Sequence, residues 1–147
     1  MKISTKGRYG LRAMVDLAIN SEMEHVTLKS IAERQKISEG YLEQVFSALK
    51  KSGLVKSIKG AQGGYSLGEK ADLLTVGAIL RVLEGSLSVT DKKNEIEEIN
   101  TLERCINENV WGKMDQAIDA VIDSIFLADL VEEYKRSKDK GILMYYI

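Results

Sequence analysis

Between Thr27 and Leu67 the chain carries two short amphipathic helical patterns, a tight break between them, and a basic glycine-rich hairpin. Few folds accommodate that succession. Thr27 stands where a hydroxyl would cap a helix carried by Leu28, Ile31 and Ala32, and Gln35-Lys36-Ile37 leaves room only for a sharp turn. Ser38 then caps a second pattern, with Glu39 in its first turn and Leu42, Val45, Phe46 and Leu49 on one face. Gly53 occupies the position where a left-handed residue ends a helix. Small Ala32 lets the two helices cross closely, and Ile37 plugs the corner between them. Leu54–Ile58 and Tyr65–Leu67 have strand composition on either side of the tip Lys59-Gly60-Ala61-Gln62-Gly63-Gly64. Helix, turn, helix and wing together predict a winged helix-turn-helix, for which duplex DNA is the first partner to consider.

The rest of the chain predicts a mainly α fold with this small β wing, extended by a long C-terminal dimerisation helix. Ser4 or Thr5 can cap a first helix to about Asn20, striped by Leu11, Met14, Val15, Ala18 and Ile19. Thr75 caps another through Ala78, Ile79, Val82 and Leu83, ending at Gly85. The polar, acidic stretch 86–101 reads as a loop with at most a short helix. From about Leu102 a long helix is expected, with apolar positions alternating threes and fours, and a last helix spans about Leu127–Lys135. Expected boundaries are therefore 1–85 for the winged head, 86–101 for the loop, and 102–147 for the dimerisation helix and tail. No apolar run approaches the ~18 residues of a membrane span, and MKISTKGRYG lacks the apolar core of a secretory signal. A single cysteine, Cys105, excludes an intrachain disulfide framework and fits a reducing cytoplasm.

Charge is divided along the chain. Residues 1–68 hold 11 Lys and Arg against 6 Asp and Glu, whereas residues 69–147 hold 10 against 16. A basic front half suits a polyanion and an acidic rear half repels one. The start of the third helix, Ser38, Glu39, Gly40, Tyr41, Glu43 and Gln44, is the part expected to meet base edges. Gly40 permits close backbone approach. Glu43 is placed to accept from a cytosine amino group and Gln44 to address adenine or a phosphate, although Glu43 paired with a nearby lysine is the alternative. Lys59, Gly60 and Gln62 at the wing tip are candidates for the adjacent minor groove, and Lys2 and Lys51 for phosphates. The glycine tip lacks the Gly-Lys-Ser/Thr ending of a nucleotide loop.

One such module reads few base pairs, so a homodimer on a palindromic operator is expected. Val110, Trp111, Met114, Ala117, Ile118, Val121, Ile122 and Ile125 make a stripe wider than one small partner covers. It is read as the dimer seam with Trp111 as anchor, intrachain core being the alternative.

MKISTKGRYGLRAMVDLA, SIAERQKISEGYLEQVFSALKKSGLVKSIKGAQGGYSLG and NVWGKMDQAIDAVIDSIFLADLV resemble the Rrf-two family of bacterial winged helix-turn-helix regulators over about residues 1–131. The resemblance implies a homodimer with crossed long C-terminal helices. It also implies recognition through the third helix and wing, with Glu43 at the family's base-discriminating glutamate. Cluster-binding members carry three cysteines before the long helix; here SLSVTDKKNEIEEINTLERC holds only Cys105, and Glu108 stands where such members have a histidine. One thiolate cannot hold an iron–sulfur cluster that needs about four ligands, so no cofactor and no metal are expected. Cys105 is either a small apolar residue at a helix start, core or inert, or a redox thiol favoured by that helix start and opposed by Glu103 and Glu108.

The tail Met144-Tyr145-Tyr146-Ile147 resembles the end of the family's cysteine-metabolism repressors. That end looks like the C-terminal peptides that occupy the active site of O-acetylserine sulfhydrylase. Tyr145, Tyr146 and Ile147 are thus a candidate partner tail, with packing against the dimer helices and a flexible terminus with no role as the alternatives. A dimeric repressor of cysteine or sulfur metabolism genes is the expected function. The alternatives are an iron–sulfur-linked regulator that lacks its usual ligands and a winged-helix module that binds protein alone. An enzyme is not expected, since the sole histidine, His25, and Cys105 lie in different segments.

Overall fold

The computed structural model describes residues 1–22, 25–60, 63–90 and 100–146, with side chains through residue 141. Four hydroxyls expected to cap helices do so. Ser4 begins α1 (Thr5–Ile19) and accepts from the Gly7 N–H. Thr27 begins α2 (Leu28–Gln35), Ser38 begins α3 (Glu39–Lys51) and Thr75 begins α4 (Val76–Glu84), each accepting from the N–H three residues on. Such a cap contributes about 1 kcal/mol by satisfying an otherwise orphaned donor. Gly53, at φ 78°, closes α3: its N–H bonds the Lys50 carbonyl, and the Leu54 N–H reaches back to Leu49.

The strands β1 (Val55–Ile58) and β2 (Gly64–Leu67) pair antiparallel, Val55 opposite Leu67 and Ile58 opposite Gly64. Val26 adds a short third rung, exchanging backbone hydrogen bonds of 3.0 and 2.8 Å with Tyr65. A Cβ on Gly64 would press into the Val26 carbonyl at 2.8 Å, so glycine is what lets that rung approach.

Behind the wing the core gathers Met14 and Leu17 of α1, Ile31 of α2, Leu42, Phe46 and Leu49 of α3, and Ile79 of α4, all fully buried. Each such side chain contributes about 1.5–3 kcal/mol through removal from water.

The C-terminal third departs from the sequence expectation in three ways. The long helix is a chain of α5 (Thr101–Ile106), a π-helical turn (Asn107–Trp111) and α6 (Gly112–Asp123), and it ends before Ile125. The carbonyl of Ile125 accepts from the Val76 N–H at 2.8 Å and Leu127 N–H donates to Leu74, so residues 125–127 form a bridge beside the start of α4. The last helix, α7, spans Leu127–Tyr146 rather than stopping near Lys135. Residues 128–140 are mostly good helix formers with neither proline nor glycine to stop them.

The boundary at 102 also needs correction. Leu127 is fully buried in the same core as α1, so the start of α7 belongs to the head. Arg81 of α4 grips Asp123 and Asp119 of α6 at 2.6 and 3.0 Å, and its hydrogen bond holds the Asp123 carboxyl below the usual carboxylate range. Asp115 of α6 accepts from Ser88 Oγ and Val89 N–H, fastening the start of the following loop.

Candidate nucleic-acid interface

The turn between α2 and α3 is built around Lys36, which is left-handed at φ 55° and the one non-glycine residue with positive φ among the described residues. That geometry costs on the order of 1 kcal/mol in a residue with a Cβ. Burial of Ile37 beneath the corner, with its N–H on the Ala32 carbonyl at 3.2 Å, offsets the cost. A second brace comes from a residue that sequence reasoning missed. Asp16 of α1, 3% exposed, accepts from Arg34 through both Nε and Nη2, from Gln35 at 2.8 Å, and from Asn20. Its signal was available: an ionisable residue between Val15 and Leu17, in an otherwise apolar stretch, must find partners when buried.

So braced, α3 presents its first turns outward. Ser38, Glu39, Gly40, Glu43 and Gln44 are all exposed. Gly40, Glu43 and Gln44 stand three and four residues apart and share one helix face. A Cβ at Gly40 would meet nothing within 4 Å, so that face is open to an approaching molecule. Among the described residues Glu43 makes no ion pair. The expected alternative, Glu43 held by a nearby lysine, is not what the structure shows. Tyr41 is half-buried, and its ring packs edge-on against Tyr9 of α1, with centroids 6.1 Å apart. It props the helix start as well as bordering the exposed ridge.

The wing is locked to the same helix. Tyr65 of β2 packs at 65° against Phe46 of α3, with centroids 5.0 Å apart, and the Gly68 N–H bonds the Leu54 carbonyl. Lys59 and Gly60 stand exposed at the tip, with Gly60 at φ 148°; Gln62 lies outside the described residues. Lys51 is exposed in the last turn of α3, and Lys2 is exposed just ahead of α1. Lys2 sits on a tethered segment, because both the N–H and the Oγ of Ser4 donate to the Glu84 carboxylate, at 2.9 and 2.6 Å. Glu84 reaches them over Gly7, where any Cβ would collide with its carboxylate.

In the C-terminal helices, Val110, Trp111, Met114 and Val121 are 38–57% exposed, and Leu102 and Ile106 extend the same apolar band. Ala117 is exposed and Ile118 half-buried. Ile122 and Ile125 are half-buried, packed against the cluster of Val76, Leu80 and Leu87 of their own chain. Residue 125 lies past the end of α6, where the bridge to α4 turns its backbone inward.

Cys105 is exposed in α5, so it is no core residue, and Asn109 Nδ2 lies 3.8 Å from its Sγ. The backbone of Tyr145 and Tyr146 is helical; their side chains and Ile147 lie outside the described residues. No helix among the described residues is long and apolar enough to cross a membrane.

A family model described as Rrf2, iron-dependent transcriptional regulator, matches residues 3–133. The chain belongs to the Rrf2 family. The HTH-type transcriptional regulator CymR of Bacillus subtilis (strain 168) is 42% identical over 145 residues, 99% of each chain. The HTH-type transcriptional regulator IscR of Erwinia tasmaniensis is 41% identical over 131 residues, covering 89% of this chain and 79% of that one. The solved structure of CymR, the global cysteine regulator of B. subtilis, matches at a TM-score of 0.77 and 45% identity, covering 90% of this chain and 98% of that one. This Rrf2 chain is therefore a winged helix-turn-helix transcriptional regulator of the DNA-binding kind.

Proposed function

We propose that the chain is a homodimeric repressor of cysteine or sulfur metabolism genes that reads a palindromic operator with Ser38–Gln44 and the Lys59–Gly60 wing tip. The observation that carries this reading is the uncovered ridge of α3, clamped between the Asp16 brace and the Phe46–Tyr65 contact. Rigid support on both sides is what groove recognition needs, since base contacts demand fixed donor and acceptor positions. Binding of the purified protein to its own upstream DNA should weaken steeply with salt. Six phosphate contacts, for example, would cost about a thousandfold between about 50 and 200 mM. A flat response would remove the DNA role.

The assignment to cysteine control is supported by the match to CymR along the whole of both chains. The donor set does not fit an iron–sulfur cluster: the chain has one cysteine, and among the described residues no three His, Cys, Asp or Glu side chains group around a metal position. The family description as iron-dependent and the likeness to IscR keep a cluster-linked regulator as the second reading. Anaerobic reconstitution with iron and sulfide decides between them, and visible absorbance that survives desalting would establish the second. The tail Tyr145-Tyr146-Ile147 is proposed to seat in a sulfhydrylase active site. Deleting Ile147 should abolish the heat of mixing with O-acetylserine sulfhydrylase, and unchanged heat would reject that partner.

A further inference from the structure

A cavity of about 780 Å³ opens between α1 and α7, and none of Ser38–Gln44 lines it. Its apolar floor comes from Leu11 and Val15 of α1 and Leu130 of α7, with Tyr134 at the rim. Arg8, Arg12 and Lys138 surround that floor, and among the described residues none of the three has a carboxylate partner. The remaining charges there, Asp16 and Arg34, are spent on one another. By contrast, Arg81 and Arg136 in the acidic half each hold two carboxylates. Three cations with no carboxylate partner among the described residues, set around an apolar recess, repel each other, and an anion relieves that repulsion. Phosphates of DNA would satisfy the cations but leave the apolar floor wet. A small organic anion with an apolar body satisfies both, and the volume lies within the range of sites for such ligands.

We propose that this cavity is an effector site for an organic anion with an apolar body, and that its occupancy is felt at the operator. The coupling route is short. The Arg12 guanidinium lies 4.8 Å from the centre of the Tyr9 ring, and Tyr9 packs edge-on against Tyr41 at the start of α3. An anion that recruits Arg12 withdraws it from Tyr9 and alters the prop under the reading helix. The same cavity touches Arg34 and Gln35, the last residues of α2 before the turn.

Ligand binding rests on the cavity alone, whereas its effect on the operator rests on the DNA-binding reading, so the two assays fail separately. In the first, fluorescence of anilinonaphthalene sulfonate is titrated with the full-length protein, then competed with phenylbutyrate and with phenylbutylamine. Displacement by the carboxylate and not by the amine is expected. Arg12→Gln and Lys138→Glu should each weaken probe binding by about tenfold through loss of a charge-assisted contact. Equal displacement by both competitors, or unchanged binding in both variants, would place the probe on the α5–α6 apolar band and overturn the site. So would loss of probe binding as rising concentration drives self-association, which would assign the cavity to a second copy. In the second assay, saturating phenylbutyrate should shift operator affinity at least about fivefold in the native chain and leave Lys138→Glu unmoved. An unshifted affinity despite demonstrated binding would overturn the coupling.

Discussion

Met114→Glu combined with Val121→Glu should give a folded monomer whose operator affinity has fallen at least about a thousandfold, the lower end of the gap between a specific complex and non-specific binding. The two side chains are 44% and 57% exposed on the protomer, two helical turns apart and therefore on one face of α6. With Leu102, Ile106, Val110 and Trp111 they make a continuous apolar band, which a monomer in water has little reason to keep. Exposure is also why folding should survive: neither residue contributes to the core around Phe46 or to the smaller cluster around Leu80. Across the proposed two-fold axis, like charges would face each other and repeat the insult on both subunits. Sedimentation velocity and a thermal melt separate the outcomes. A variant that remains dimeric with native affinity would move the seam elsewhere. A variant that melts early would show that the band belongs to the protomer's own core.

The parts of this molecule that were legible in its sequence are those decided within a few residues. A hydroxyl followed three positions later by a free N–H, a stripe at threes and fours, and a glycine past a helix end are local patterns, and Ser4, Thr27, Ser38, Thr75 and Gly53 all act as such patterns require. Contacts between distant segments were not legible. Val26 pairing with Tyr65, Glu84 closing over Gly7 onto Ser4, and Leu127 entering the head core each depend on the fold being assembled first. Ile125 shows the limit most clearly. Its spacing continued the apolar stripe of α6, yet its backbone carbonyl was needed by Val76, and that hydrogen bond outweighed one more helical turn. The exposed start of α3 was itself legible as a location. That Tyr41 leans on Tyr9, and so reaches back to α1, was not.

Asp16→Ala should lower stability by about 2–3 kcal/mol, or the melting temperature by about 5–10 °C for a chain of this size. Removing one member of a buried pair commonly costs about 3–5 kcal/mol, but Arg34 is 39% exposed and can recover water when abandoned, which reduces the figure. Gln35 has less freedom. Its amide donates to Asp16 at 2.8 Å, directly before the turn that sets the angle between α2 and α3. Losing that anchor frees the end of α2 relative to α1, so operator binding should weaken even at temperatures where the protein remains folded. A double-mutant cycle with Arg34→Ala isolates the pair: a coupling of at least about 1 kcal/mol is expected, beyond the few tenths that independent sites show. Strict additivity would mean that Arg34 adds nothing to the carboxylate's role, and the brace at the end of α2 would then rest on Gln35 and on the apolar contacts of Ile31 and Leu42 instead.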